Sequence, residues 1–494
     1  ITANANVDTI IVKSDRTFTL TDCEPAGKEG KITHGFNVET NKTHYFSGVV
    51  VSGTFNMYGG SITGNNQSGK AVAGGGVYVG EGGIFNMYGG KITDNISSSG
   101  GVGVSGTFNM YGGTISGNTA DGTETHGGGG VSVGSSSTFT MNGGTITGNK
   151  AVSNGGGVRV CYGGTFTMND GTISKNTATN GGGVYVSSDT RSSTFTMSGG
   201  TITKNNATYG GGVYMGDNTT FTMENGTITG NNAGSGGGVY VSNSGAFTMN
   251  GGSITGNTTT GDGGGVYFGG DTFSISGGVE INSNTKNSAN NNVYLPTKKY
   301  ITIAGALTGS KPIGVTTEKT PDASNYVLIA SGYKNDAAPE KFSYENDSTP
   351  VSATSQNNST ADLVVCQHNL NSTWSSDSFS HWHECSICKG KGDIAAHTYD
   401  QETVNEQYKA SSATCLSGTT YYMSCVCGAK GADTFEIGDK DPDNHSGILN
   451  NDWKSNDTKH WKEYACCGAH AEEAAHSGGT ATCQNKAVCS TCNK

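Results

Sequence analysis

Two segments near the C-terminal end hold the side chains best suited to chemistry. One runs Trp374-x6-His381-Trp382-x-Glu384, then Cys388-x8-His397; the other runs Trp453-x6-His460-Trp461-x-Glu463, then Cys467-x8-His476. Between them stand Cys415 and Cys425-x-Cys427, and after them Cys483-x5-Cys489-x2-Cys492. Eleven of the 13 cysteines, eight of the 11 histidines and all four tryptophans lie from Cys366 onward. Thiolate and imidazole enriched together, at spacings such as Cys385-x2-Cys388, suit a tetrahedral ion, and zinc accepts both ligand types. Disulfides need only cysteine; they and free thiols stay open as alternatives, although eleven cysteines cannot all pair. The first site expected is Cys385, Cys388 and His397, with His368 or His383 as the fourth ligand. In the second repeat Tyr464 stands where Cys385 would be, and Cys466 is displaced beside Cys467. Cys467, His476, Cys483, Cys489 and Cys492 complete the expected ligands. The ion is expected to be structural: small modules short of core need staples, and nothing marks an open coordination position or a nearby general base.

Upstream, one phrase recurs. The stretch Gly127–Asn154 reads GGGGVSVGSSSTFTMNGGTITGNKAVSN, and its isoleucine recurs at Ile62, Ile92, Ile115, Ile146, Ile173, Ile202, Ile228, Ile254 and Ile281. A period of roughly 23–31 residues lies in the solenoid range. Val184-Tyr185-Val186, Thr194-Phe195-Thr196-Met197 and Thr201-Ile202-Thr203 each alternate with period two, so they read as short half-buried strands. Glycine pairs between them supply corners. Three strands cannot bury an apolar face alone. Stacked copies set Val on Val, Phe on Phe and Ile on Ile, and pair every strand with the next coil. The expected fold is all-β: a right-handed parallel β-helix with three strands per coil, followed by small Cys/His-rich, loop-rich modules. Ten to thirteen coils at roughly 4.8 Å each give a rod of about 50–60 Å. The asparagine after each isoleucine strand, from Asn65 to Asn284, is expected to stack as an amide ladder at one corner.

Residues 1–45 read as degenerate first coils, 46–290 as regular repeats, 291–365 as last coils, cap and linker, and 366–494 as zinc-ribbon-like modules. The net charge of −11 and only three arginines argue against nucleic acid or anionic membrane as partners. No apolar run is long enough to span a bilayer. No secretion signal stands at Ile1 and the strand pattern begins at once, so the chain reads as part of something longer or as a processed form. Low charge with abundant Thr, Ser, Asn and Gly points to export.

The phrase GGGVYVSxxxxFTMxGGTITGN resembles the repeats of large surface proteins of Gram-positive, often gut-dwelling bacteria. It is more distantly similar to repeats of chlamydial polymorphic outer-membrane proteins. Both belong with the pectin-lyase-like β-helices. The HWxEC…AAH and ATCxxxAVCSxC phrases look like cysteine-rich modules appended to such proteins. The resemblance implies an extracellular location at the cell surface or cell wall, and supplies no substrate.

The expected function is a non-catalytic surface stalk or adhesin presenting a β-helix face to glycans or to host or matrix proteins. Its candidate ligand-binding residues are Tyr185, Tyr214, Tyr240 and Tyr267. With Tyr78 and Tyr294 they form one outward file, broken by Gly103, Ser132 and Arg159. Such a file could stack sugar rings, or it could merely cover the sheet. The alternative is a carbohydrate-active enzyme, a lyase or glycosidase, which needs facing carboxylates. Asp170 and Glu224 fall at nearly equivalent corners, two coils or roughly 10 Å apart. A third possibility, ice binding by Thr145/Thr147 and their equivalents, is explained as well by the β-propensity of threonine on exposed strands.

Overall fold

A computed structural model describes residues 2–3, 10–21, 31–34, 47–68, 74–122, 127–134, 136–188, 191–322, 324–333, 338–347, 349–355, 360–367, 369–478 and 488–492. It divides into two units, Ile1–His368 and Asn369–Lys494.

In the first unit the alternation becomes a parallel β-solenoid. The valine strands stack in one 13-stranded sheet and the phenylalanine and isoleucine strands in one 23-stranded sheet. Register is residue on equivalent residue: Val184 opposite Val213, Phe195 opposite Phe221, Ile202 opposite Ile228. Parallel strands lie about 4.8 Å apart, so stacked rings must share that spacing. The Phe195 and Phe221 centroids are 4.6 Å apart, and the file from Phe55 to Phe273 is continuous. Every phenylalanine in that file is buried, within one core that runs the length of the unit.

Two features differ from the three-strand expectation. In two coils the phenylalanine and isoleucine strands fuse, as Thr138–Thr147 and Thr165–Ser174, with a register shift where the corner would be. A fourth short strand also follows the asparagine corner in several coils, as in Asn206–Tyr209 and Asn232–Ser235. Its alternation is set by one small residue: Ala207 and Ala233 are buried while Asn206 and Asn232 face solvent.

The asparagine corner forms the expected ladder. Each side-chain Nδ2 donates to the next asparagine's Oδ1 at 2.7–3.0 Å. The same Oδ1 accepts from the preceding asparagine's backbone N–H, as from Asn149 to Asn176 at 2.9 Å. Each Nδ2 from Asn95 onward also donates to an isoleucine carbonyl of the coil below, as Asn176 does to Ile146. Buried backbone at a sharp bend is thereby satisfied. A file of donors needs a terminal acceptor. Asn292 takes the last amide bond, and its backbone N–H and Nδ2 both donate to the carboxylate of Glu345, 53 residues away. Burial pushes the Glu345 carboxyl above its ordinary range, against the lowering effect of those bonds.

The GGGV opening has two separate causes. Gly210 has φ +66°, a left-handed conformation that favours glycine. Gly212 is held by proximity: a Cβ there would lie 2.5 Å from the Gly238 carbonyl oxygen and 2.8 Å from Ile228 Cγ2. Gly212→Ala is expected to lower the chain's stability by about 1–3 kcal/mol, the usual cost of overpacking. Urea unfolding of the full chain checks this; an unchanged midpoint would mean the coils part freely there.

The stack ends where pairing changes direction. Val327–Tyr333 is the last parallel strand of the large sheet, and Thr360–Val365 runs antiparallel to it and to Val351–Ser355. Phe342–Tyr344 closes the valine sheet. No helix among the described residues is long and apolar enough to cross a membrane.

Candidate metal centres

Among its described residues the second unit holds three small antiparallel sheets. They are Leu370–Ser376 with Ser380–Cys385 and Lys391–Ala396; Lys409–Ser411 with Thr419–Ser424 and Lys430–Ile437; and Lys454–Ser455 with Lys459–Glu463 and His470–Ala475. Few large apolar side chains are buried here, chiefly Tyr408 and Tyr421.

Antiparallel register decides which ligands meet. Ser380 opposes Ala396 and His381 opposes Ala395, so His397 lies beside His381 at the open end of its hairpin. Cys385 lies four residues along the same strand, about 13 Å away at 3.3–3.4 Å per residue. The third sheet repeats this, with His460 opposite Ala474 and His476 next in line.

Three tetrads result, with all ligand atoms in each within 4.8 Å of one another: His381/His397/Cys425/Cys427, Cys415/His445/Cys466/Cys467 and His460/His476/Cys489/Cys492. In each, ligands from one module meet ligands from the segment that follows it. Sulfur to Nδ1 distances are 3.4 Å for Cys425–His381, 3.3 Å for Cys427–His397, and 3.4 Å for Cys467–His445, Cys489–His460 and Cys492–His476. Cys466 and Cys467 sulfurs are 3.8 Å apart, and Cys415 and Cys466 3.2 Å. A tetrahedral ion with metal–sulfur bonds of ~2.3 Å and metal–nitrogen bonds of ~2.0–2.1 Å has S···N edges of about 3.6 Å and S···S edges of about 3.8 Å. The clusters fit a metal ion.

The surroundings fix the ligands. His397 Nε2 lies 2.9 Å from the Asp377 carbonyl, and His476 Nε2 2.8 Å from the Asn456 carbonyl. A carbonyl only accepts, so Nε2 carries the proton and Nδ1 keeps its lone pair for a metal. Matching turns set those carbonyls: Asp377 Oδ1 accepts from the Phe379 and Ser380 N–H groups, and Asn456 Oδ1 from those of Thr458 and Lys459. Trp374 and Trp453 meet His381 and His460 edge to face, at 4.6 and 4.7 Å.

One cysteine of each tetrad is shifted toward thiolate, while burial raises Cys427 and pushes Cys415 up to about 11. The Cys492 backbone N–H leads in lowering Cys489 to about 5. For Cys425, burial pushes the thiol up, but the Cys427 N–H and His397 more than offset it, giving about 7. Burial likewise acts against Cys466, which Cys415 and the Gly447 N–H bring down to about 6.

The sequence-based grouping needs correction. His397 does not join Cys385 and Cys388; it belongs with Cys425 and Cys427, because the hairpin puts it at the opposite end from the turn. Cys385 and Cys388 are buried, with sulfurs within 4.8 Å of each other. His383 is not in their cluster; it stacks on Trp374 at 3.7 Å. Cys467 and His476 fall in different tetrads, for the same reason that separates Cys388 from His397. Cys489 and Cys492 do meet His476. His368 and Cys483 lie outside the described residues. Not nominated from sequence were His381, His460, Cys415, Cys425, Cys427, His445 and Cys466. The recurrence of His-Trp marked two of them; their partners lie in other modules, which spacing cannot show.

On the solenoid, Tyr185, Tyr214, Tyr240, Tyr267 and Tyr294 form one stacked file, with centroids 4.6–5.4 Å apart. Burial, then neighbouring rings, pushes Tyr240 up to about 12. Each interior ring has both faces covered by its neighbours. A second file, Tyr58, Tyr88 and Tyr111, is more exposed and is stacked in the same way. Its signal was the FNMY phrase in three coils. Asp170 and Glu224 are exposed, and each accepts a local hydrogen bond, from the Gly171 N–H and from Asn250 Nδ2.

Comparison with protein-family models, with curated proteins and with solved structures gave no significant match.

Proposed function

We propose that this chain is a non-catalytic extracellular stalk or adhesin, in which a stiff β-solenoid presents a face to glycans or to host or matrix proteins and a zinc-stapled tail follows it in the sequence. One observation carries this reading: the amide ladder runs without a break from Asn65 through Asn292 to Glu345. A body in which every coil is bonded to the next at the same corner suits holding a surface away from its point of attachment. Low charge and a Thr/Ser/Asn-rich exterior support an extracellular setting, at the cell surface or cell wall. The negative net charge supports partners other than nucleic acid.

Zinc is favoured over other ions by the ligand chemistry. Two N2S2 sets and one NS3 set are suited to a tetrahedral, redox-silent ion, and all four positions of each set are filled by protein, as in structural sites.

An array of glycans and matrix proteins probed with the full chain is expected to give binding to at least one class. Repeating it with Tyr214→Ala and Tyr240→Ala locates the ligand, since binding lost with them puts it on the tyrosine file and binding kept puts it elsewhere on the rod. Release of reducing sugar or of unsaturated uronide from common polysaccharides would instead establish an enzyme and overturn the reading.

A further inference from the structure

The regular coils present mostly small polar side chains, scattered charges such as Lys175 and Lys204, and self-stacked rings. Just past them the surface changes. The turn Pro296–Lys299, closed by the Lys299 N–H on the Pro296 carbonyl at 3.0 Å, and the loop after Thr317 enclose a cleft of about 560 Å³. Its walls include Leu295, Pro296, Val327 and Leu328, and Tyr300 and Tyr326 stand at it.

We propose that this cleft binds an acidic sugar, with its ring against Tyr300 or Tyr326 and its carboxylate or sulfate toward Lys298 and Lys319. The proposal rests on the glycan-binding reading above and moves the contact off the strand faces.

Two contrasts carry it. The first concerns aromatic faces. A pyranose packs against the flat face of a ring, and in the tyrosine files those faces are taken up by neighbours. Tyr300 and Tyr326 are 42% and 40% exposed, and neither has an aromatic partner among the described residues. The second concerns charge. Lys298, Lys299 and Lys319 all line the cleft. Lys299 is engaged, with Nζ 2.6 Å from the Gly270 carbonyl and 4.0 Å from Asp271. Lys298 and Lys319 form no ion pair among the described residues. The nearby acids are already occupied. Glu318 accepts from the Thr297 hydroxyl and N–H, at 2.6 and 2.7 Å, and Asp322 from the Ser324 and Asn325 N–H groups, at 2.7 and 2.9 Å. Those bonds hold both carboxyls below their usual range, with Lys319 a lesser influence on Glu318. The cleft thus offers cations with few local partners next to uncovered rings, in a chain whose net charge is −11.

Calorimetric titration of the full, metal-loaded chain tests this with three probes: tetragalacturonate, a heparin-derived tetrasaccharide and neutral maltotetraose. One acidic probe is expected to bind at least about tenfold more tightly than maltotetraose at low salt, weakening as salt rises. Which of the two binds separates carboxylate from sulfate recognition. Tyr300→Ala with Tyr326→Ala, and separately Lys298→Ser with Lys319→Ser, are each expected to weaken it about tenfold or more. These side chains are exposed, and thermal unfolding checks that the variants fold. Acidic-sugar binding that survives both double substitutions removes the cleft and leaves the glycan reading intact. Failure of every acidic probe, with the array still positive, overturns the cleft proposal alone. Silence in both removes both.

Discussion

Replacing Cys425 and Cys427 together by serine is expected to disorder a module that lies earlier in the chain. His381 and His397 would lose both sulfur partners, and a site reduced to two imidazoles holds a structural ion poorly. Structural zinc contributes on the order of 10–16 kcal/mol of apparent binding energy at neutral pH, which for small modules is folding energy. The metal content of the full chain, by elemental analysis, is expected to fall by one ion. Hydrogen exchange is expected to quicken at the open end of the hairpin formed by Ser380–Cys385 and Lys391–Ala396. The solenoid strands should keep their protection, since none of their described residues belongs to that tetrad. If each module instead closed its own site, the hairpin would stay protected while only the Thr419–Ser424 sheet loosened. That result would overturn the shared-site arrangement. A wild-type chain containing no metal, with its cysteines paired as disulfides, would overturn the metal assignment altogether.

Asn176→Asp should be among the most damaging single substitutions in the solenoid, although it changes one atom. Asn176 Oδ1 accepts from the Asn149 N–H and Nδ2, and a carboxylate oxygen preserves both contacts. Asn176 Nδ2, however, donates to the Ile146 carbonyl and to Asn205 Oδ1, each at 3.0 Å. A second carboxylate oxygen there faces two acceptors, and it is buried. An uncompensated buried charge costs about 3–5 kcal/mol. The fold therefore favours the protonated acid, which can donate to one of the two acceptors. This raises the introduced carboxyl's folded pKa above its ordinary value of about 3.9. The pH sign follows by linkage. Below about pH 3.9 the charge penalty is absent; it grows as pH rises through the folded pKa and is then constant. Asn176→Ala, by contrast, is expected to cost a similar amount at every pH, because it leaves several buried groups unpaired whatever the proton concentration. Thermal unfolding of both variants between pH 3 and 8 separates the two cases. Equal stability of Asn176→Asp and wild type at neutral pH would show that the ladder contributes little.

These two sites differ in how far they could be read in advance. Asn176 announced itself, because its neighbours in space are its own copies, Asn149 and Asn205, at the same phase of the same phrase. The ladder's end did not: Glu345 stands in no repeat, and only the fold brings it to Asn292. The fused strands at Thr138–Thr147 and the alanine strand after the asparagine corner were likewise hidden, since a corner and a strand differ there by a few backbone dihedrals. The tyrosine file was legible as a file. That its ring faces are covered follows from the strand spacing, and became evident only with the rings in place.

What the residues alone determined is the solenoid. Period-two runs repeated in one order leave a single way to bury Val, Phe, Met and Ile together, namely copy upon copy, and every position then has its partner written one repeat away. What the tertiary structure decided is the pairing of unlike parts: which histidines meet which cysteines, which acid ends the amide file, and which tyrosines keep a free face. These depend on hairpin register and on contacts between segments with no common pattern, and no local spacing encodes them.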